Sequence, residues 1–377
     1  MDSRKTDMIH ALWLFFLLWT LLHVYVFWRA ATVPVIARHV PRAVLVGTAG
    51  LLWMGVIAAR MLDRFGAPLL ATPLEMIAWS WIPLVFFMAA ALLVVDLVTV
   101  FGSYARQWVP RLRWLAFVGS LALGAVAVVQ GARPPVVRRY EVRLGGLPAD
   151  LDGTVVVAAS DFHLGRWVGA RWLAARVTQI EALEPDLVVV LGDVMEGDAN
   201  DGDTGDIVAA LHRLSAPLGV WGVTGNHEVY AGLDESVRLL EDAGIQVLRD
   251  RWAEVRPGLV LAGVDDLTAR RDRGQGGDPV GRALAGRPPG ATILLSHSPW
   301  ETDVAARAGA GLMLAAHTHG GQIWPFGYFV RGRYPLMAGR YDVDGMPVIV
   351  SRGTGTWGPP MRLFSRPEVT VITIEPE

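Results

Sequence analysis

The chain has no cysteine. That excludes disulfides and thiolate metal sites. Any metal must be held by histidine, carboxylate or amide, a donor set that suits Mn, Fe, Zn or Mg. Lysine is nearly absent too. Almost every basic residue is arginine, and with abundant Ala, Gly and Val the composition fits a high-GC bacterial source. Charge is scarce: 19% of residues are charged against 52% hydrophobic. A chain this apolar is not an ordinary soluble enzyme and is expected to carry membrane segments. No internal repeat is visible.

The 377 residues suggest about two domains, at roughly 150 residues each. Charge is split between them. Residues 1–140 carry 13 Lys/Arg and 5 Asp/Glu, a balance of +8; the remainder carries 21 against 31, a balance of −10, and together they make the net −2. A basic apolar part followed by an acidic part argues against a nucleic-acid-binding enzyme domain, so no nucleic-acid partner is expected.

Four apolar runs lie in the basic part, at residues 11–28, 43–59, 76–95 and 114–129. They approach the ~20 residues a helix needs to cross a bilayer. Arg29, Arg42, Arg60 and Arg113 flank them, and Trp13, Trp28, Trp79 and Trp114 lie near their ends, as interfacial tryptophans do. Pro83 falls inside the third run, which membrane helices tolerate. The first run is longer than a signal-peptide core, and no small-x-small cleavage site follows it. Four spans return the chain to the side where it began. Basic residues divide almost evenly between the two sides, which leaves orientation open. His23 and Asp96 are the ionisable groups in or beside the spans. His23 reads as neutral and helix-packed, and Asp96 as interfacial. Gly131-Ala132-Arg133-Pro134-Pro135 reads as a non-helical linker. The expected division is therefore a four-span region at 1–130, a linker at 131–137 and a second domain at 138–377.

That second domain alternates apolar β-like runs with helical spacing. Strands are expected at residues 154–159, 187–191, 218–223, 259–262, 293–295, 312–314, 346–350 and 369–374, with an edge strand at 140–144. Helices are expected at 168–183, 207–214 and 233–243, and a solvated loop at 270–279. This pattern implies an α/β layered fold with a β-rich C-terminal part. A polar fragment follows each of five strands. They are Ser160-Asp161-Phe162-His163-Leu164-Gly165, Gly192-Asp193-Val194-Met195-Glu196-Gly197-Asp198, Gly225-Asn226-His227-Glu228, Ser296-His297-Ser298-Pro299 and Ala316-His317-Thr318-His319-Gly320-Gly321-Gln322. Five of this domain's six histidines lie in these fragments; His212 is the sixth. Ligands in α/β sheets bind beyond the carboxyl ends of strands, so the five fragments are expected to share one rim. Alone, each has a bland reading as a helix cap or a turn; together and in order they point to a metal site.

Asp-x-His, Gly-Asp, Gly-Asn-His-Glu, a later His and His-x-His, in this order, resemble the signature of the calcineurin-like metallophosphoesterases. The likeness runs from about residue 138 to the C-terminus. It extends to bacterial membrane-associated phosphodiesterases of the YkuE/YaeI type through Ser-Asp-x-His-Leu-Gly, His-Thr-His-Gly-Gly-Gln, Ser351-Arg352-Gly353-Thr354-Gly355 and Arg366-Pro367-Glu368. The resemblance implies a layered β-sandwich flanked by helices, preceded here by an all-α transmembrane bundle of four spans. It implies two divalent metal ions, Mn, Fe or Zn. Asp161, His163 and His319 would hold the first, Asn226, His297 and His317 the second, and Asp193 would bridge them. A shared hydroxide would attack phosphorus in line with the leaving oxygen. His227 would act as general acid or transition-state donor.

The expected activity is hydrolysis of a phosphodiester or pyrophosphate at a bacterial cytoplasmic membrane, with the bilayer as partner. The substrate would be a lipid or a lipid-linked nucleotide of the UDP-diacylglucosamine kind. Two alternatives are a phosphatase or phosphodiesterase of soluble nucleotides merely tethered to the membrane, and a non-catalytic membrane sensor or scaffold. Arg166 and Arg362 are candidate contacts for substrate phosphate, against a reading as surface ion pairs. The aromatic segment 323–329 reads as core packing or as a hydrophobic lip for lipid, with Trp324 and Phe326 as its substrate contacts. The acidic loop of Glu196, Asp198, Asp201, Asp203 and Asp206 reads as solvated, with Asp206 capping a helix. Many relatives have glycine where this chain has Ala316, an added methyl that a strand end accommodates.

Overall fold

The computed structural model describes residues 3–197 and 204–377. It divides into two compact units, residues 1–129 with 358–361, and residues 130–357 with 362–377.

In the first unit the apolar runs become helices Ser3–Ala30, Arg42–Arg64, Pro68–Val98 and Val109–Ala132, each long and apolar enough to cross a membrane. Pro73 and Pro83 lie within Pro68–Val98, which remains helical past both. The fourth helix continues through Gly131 and Ala132, so it takes two residues from the expected linker. Large apolar side chains such as Leu14, Val46, Leu69 and Leu115 point outward. A water-facing surface does not tolerate apolar area on this scale, and a bilayer does. Asp96 is fully buried. It pairs with Arg29 at 2.6 Å and Arg113 at 2.9 Å, and Tyr25 donates its hydroxyl at 2.7 Å. His23 packs as expected. Its Nδ1 lies 2.8 Å from Trp19 O, and Trp81 donates its indole N–H to Nε2 at 2.8 Å.

The second unit holds two six-stranded sheets. Its strands are β1 (Val136–Leu144), β2 (Thr154–Ala159), β3 (Leu187–Val190), β4 (Val220–Gly222), β5 (Gln246–Val247), β6 (Arg251–Arg256), β7 (Leu259–Gly263), β8 (Ala291–Leu295), β9 (Leu312–Ala315), β10 (Gly339–Val343), β11 (Met346–Val350) and β12 (Glu368–Pro376). One sheet has the order β1-β12-β2-β3-β4-β5, the other β10-β11-β9-β8-β7-β6. Side chains alternate between faces along each strand. Val156, Ala158, Leu187 and Val189 meet Leu261, Ile293, Leu312 and Leu314 between the sheets. Val157, Val188 and Val190 face outward against helices Ala170–Glu181 and Leu233–Asp242. Ala262, Leu294, Met313 and Val348 do the same on the other side. The result is the expected layered sandwich flanked by helices.

β1 begins at Val136, inside the expected linker, and lies at a sheet edge. It pairs in parallel with β12, Val136 opposite Glu368. Helix Leu267–Asp272 occupies the start of the expected loop at 270–279. For the site, direction matters most. β2, β3 and β4 run parallel, as do β8 and β9. Each sheet thus brings the ends of its parallel strands out together.

Candidate metal centre

The five polar fragments meet at those strand ends. Asp161 and His163 follow β2, Asp193 follows β3, Asn226 and His227 follow β4, His297 follows β8, and His317 and His319 follow β9. Three groups of side chains offer ligand atoms within 4.8 Å of one another: Asp161, His163 and His319; Asp193, His297 and His317; and His163, Asp193 and His227. His319 Nε2 lies 3.3 Å from Asp161 Oδ1 and 3.2 Å from His163 Nε2. His297 Nε2 lies 3.1 Å from Asp193 Oδ2 and 3.0 Å from His317 Nδ1. Two donors each ~2.1 Å from one cation, at octahedral to tetrahedral angles, stand about 3.0–3.4 Å apart. The observed spacings match. Asp193 Oδ2 also lies 3.9 Å from His163 Nε2, which puts this carboxylate next to both groups.

Backbone strain builds the site. Asp161 (φ 52°), His163 (49°), Asp193 (51°), His317 (71°) and His319 (49°) all occupy the left-handed region, where non-glycine residues are uncommon and such conformations cost about 1–3 kcal/mol each. Cross-loop bonds hold them. Asp161 N–H donates to Gly192 O at 3.0 Å, and His163 N–H to Asp193 O at 3.1 Å. The buried carboxylate of Glu228 accepts from the N–H groups of Asp193 (2.8 Å), Val194 (2.8 Å), Met195 (3.2 Å) and Gly225 (2.7 Å). At Gly225 a Cβ would stand 2.1 Å from Asp193 Oδ1, so only glycine lets the two loops approach.

The donor set fits a cation. Both carboxylate oxygens of Asp161 and Oδ1 of Asn226 are buried without a hydrogen-bond partner. A buried acceptor left unmet costs about 1–3 kcal/mol, and a divalent cation satisfies such atoms. The imidazoles are prepared for the same role. Burial lowers His163 to about 4. It also holds His319 and His317 well below the ordinary histidine value, reinforced by the neighbouring Arg362 and His297 respectively. Neutral rings keep a lone pair for metal. Burial also pushes Asp193 up to about 7 against the pull of His297. For His297, burial is outweighed by Asp193, and the ring stays well above its ordinary value.

Outer contacts orient the rings. His297 Nδ1 faces Leu191 O at 2.6 Å, which leaves Nε2 to the centre. Glu196 Oε2 lies 2.6 Å from His163 Nδ1 and 3.1 Å from His227 Nδ1. His227 also donates its backbone N–H to Asp193 Oδ1 at 2.9 Å, and burial then His163 lower its ring to about 4.

Several expectations change here. Glu196 is half-buried between two histidines, not solvated. Asp206 lies in the first turn of helix Thr204–Leu211 rather than capping it; Asp198, Asp201 and Asp203 lie outside the described residues. Arg362 is fully buried and cannot reach substrate. Its guanidinium donates to the carbonyls of Arg352, His319 and Ser365 and lies 3.1 Å from His319 Nδ1. Arg166 is exposed in the loop after His163. In segment 323–329, Ile323 is buried but Trp324, Tyr328 and Phe329 are exposed, and helix Gly327–Arg333 buries no residue, so core packing fails for most of it. Phe326 is half-buried beside Phe329. Phe364, also exposed, lies edge-on to Trp324. Ala316 packs in the inter-sheet core.

The family model described as calcineurin-like phosphoesterase matches residues 154–321. A transmembrane protein with metallophosphoesterase domain from Danio rerio is 36% identical over 273 residues, covering 69% of this chain and 62% of that protein. An uncharacterized metallophosphoesterase from Aquifex aeolicus (strain VF5) is 34% identical over 254 residues, 63% of this chain and 91% of its own length. The uncharacterized metallophosphoesterase YkuE of Bacillus subtilis (strain 168) is 27% identical over 277 residues, covering 68% and 94%. The chain spans 62% of the length of the first two vertebrate relatives it matches, from Danio rerio and Bos taurus.

Proposed function

The chain belongs to the calcineurin-like phosphoesterases, and from that premise we propose that it is a membrane-anchored two-metal hydrolase of phosphodiesters or pyrophosphates. One observation carries the reading: Asp161, His163 and His319 form one group of potential ligands and Asp193, His297 and His317 another, with Asp193 beside His163 and buried oxygens of Asp161 and Asn226 unmet. Asp161, His163 and His319 would hold one ion and Asn226, His297 and His317 the other, with Asp193 between the two groups. Divalent cations held there would supply Lewis-acid neutralisation of charge on a phosphoryl group. Glu196 orients His163 and His227. His227, partly exposed, serves as general acid or transition-state donor. Arg166 is the remaining arginine candidate for a substrate phosphate.

The substrate we propose is a lipid or lipid-linked nucleotide, such as a UDP-diacylglucosamine-like pyrophosphate, at a bacterial cytoplasmic membrane. Support comes from the four apolar helices and from exposed Trp324 and Phe364, which together offer an apolar surface beside the loop that carries His319.

The test uses the full chain in nanodiscs, stripped by chelator and reloaded with Mn²⁺. Hydrolysis should depend on metal and be faster on the lipid-linked pyrophosphate than on soluble nucleotides. Trp324→Ser with Phe364→Ser should slow only the lipid reaction. His227→Ala should lower turnover and keep the bound metal. An inert loaded protein sinks the hydrolase, a preference for soluble nucleotides sinks the lipid reading, and metal loss in His227→Ala makes that ring a ligand.

A further inference from the structure

A chain of hydroxyls leads from a buried carboxylate to His317. Asp266 is fully buried and caps helix Leu267–Asp272 with one oxygen, accepting from Ala269 N–H at 2.6 Å. Its other oxygen accepts from Ser298 Oγ. Ser298 Oγ lies 2.7 Å from Thr268 Oγ1, which lies 3.0 Å from the Tyr334 hydroxyl. Trp300 donates its indole N–H to Thr268 Oγ1 at 3.1 Å. Tyr334 OH lies 2.8 Å from His317 Nε2. All these hydroxyl residues are buried.

Counting protons gives the chain a direction. A carboxylate only accepts, an indole N–H only donates, and each hydroxyl has one proton. Ser298 therefore spends its proton on Asp266. Thr268 must give its own to Ser298, which leaves it to accept from Trp300 and from Tyr334. Tyr334 has then spent its proton, so its oxygen accepts from His317 Nε2–H. A neutral imidazole protonated at Nε2 has its lone pair on Nδ1, the atom 3.0 Å from His297 Nε2.

We propose that Asp266, Ser298, Thr268 and Tyr334 form a positioning relay that holds His317 in its Nε2–H tautomer and presents Nδ1 to a divalent cation. The relay rests on the reading of His317 as a ligand given above. Tyr334 acts through His317 and does not touch the reacting atoms. Outer partners of this kind typically change metal affinity 10–100-fold.

Two measurements on the full chain test it. With ¹⁵N-labelled histidine and no metal, long-range ¹⁵N–¹H spectra should report Nε2–H for His317 in the parent protein and a mixture of tautomers in Tyr334→Phe. Titration with Mn²⁺ should show one of two equivalents weakened 10–100-fold in Tyr334→Phe, the other unchanged. Thr268→Val, nearly isosteric, should give the same split if Tyr334→Phe does not fold, and Thr268→Ser should restore parent affinity. An Nδ1–H tautomer in the parent protein, or parent affinity for both equivalents in Thr268→Val, overturns the relay. A parent protein that binds no Mn²⁺ overturns the ligand reading instead, and the tautomer spectrum still decides the relay.

Discussion

Glu228 shows how much of this centre depends on a residue outside the candidate ligand set. Its carboxylate takes four backbone N–H groups, from Asp193, Val194, Met195 and Gly225, and so ties the loop after β3 to the loop after β4. Those loops carry Asp193 and Asn226. Glu228→Gln would turn an amide NH₂ toward two of the N–H donors and leave buried groups unmet, a cost of about 1–3 kcal/mol. The expected outcome is a lower melting temperature together with weaker Mn²⁺ binding. An unchanged melt and titration would show that the loops hold themselves. The residues that converge at the strand ends were legible in sequence because each follows an apolar run in an ordered motif. Glu228 stands in its motif without a visible task. Its spacing from Gly225 is that of a capping box, which signals one of its four bonds and not the other three. Glu196 was hidden for a different reason. Its run of acidic neighbours looked solvated, while its partner His227 lies 31 positions further on. Arg362 was misread because burial of an arginine is rare, and only the fold reveals that carbonyls surround it.

At the scale of elements, the segment after β11 closes over the loop after β2. Thr354 N–H donates to Ser160 O at 2.8 Å, and Gly355 N–H to Asp161 O at 2.9 Å. A Cβ on Gly355 would stand 2.5 Å from Phe162 O and 2.6 Å from Asp161 O. These are backbone atoms and cannot swing aside. Gly355→Ala should therefore push the Asp161 loop away, destabilising the fold by about 1–3 kcal/mol, the usual cost of overpacking. Calorimetry should show the lower melt, and a Mn²⁺ titration should show weaker binding at the Asp161 group. Parent-like binding would mean that the closing segment yields instead. Buried strands such as β2, β3 and β9 were legible as short apolar runs. β6 and β10 were not, because their exposed positions carry Arg251, Glu254 and Arg340 and interrupt the run. Nor does local pattern announce that β1 pairs with β12, more than 200 positions away, since sheet pairing depends on partners that a window along the chain does not contain.

The whole chain joins two environments, and its charges are placed accordingly. The acidic unit gathers carboxylates and histidines that could hold a cation. Among the described residues the apolar unit has one fully buried acid, Asp96, and matches it with two arginines. Arg29 belongs to Ser3–Ala30, Asp96 to Pro68–Val98 and Arg113 to Val109–Ala132, so one carboxylate ties three of the four long helices. Arg113 also donates to Thr32 at 3.0 Å. A buried pair of this kind gives little net stability over an apolar replacement, but removing one partner strands the other and costs about 3–5 kcal/mol. Asp96→Asn would strand two guanidiniums. The expected result is a large drop in the melting temperature of the full chain in detergent, partly recovered by Asp96→Glu. Mn²⁺ binding by the folded fraction should remain at the parent level, because every partner of Asp96 belongs to the first unit. A parent-like melt would show that the arginines find other acceptors. A normal melt with lost hydrolysis would give Asp96 a working role and make the helices more than an anchor.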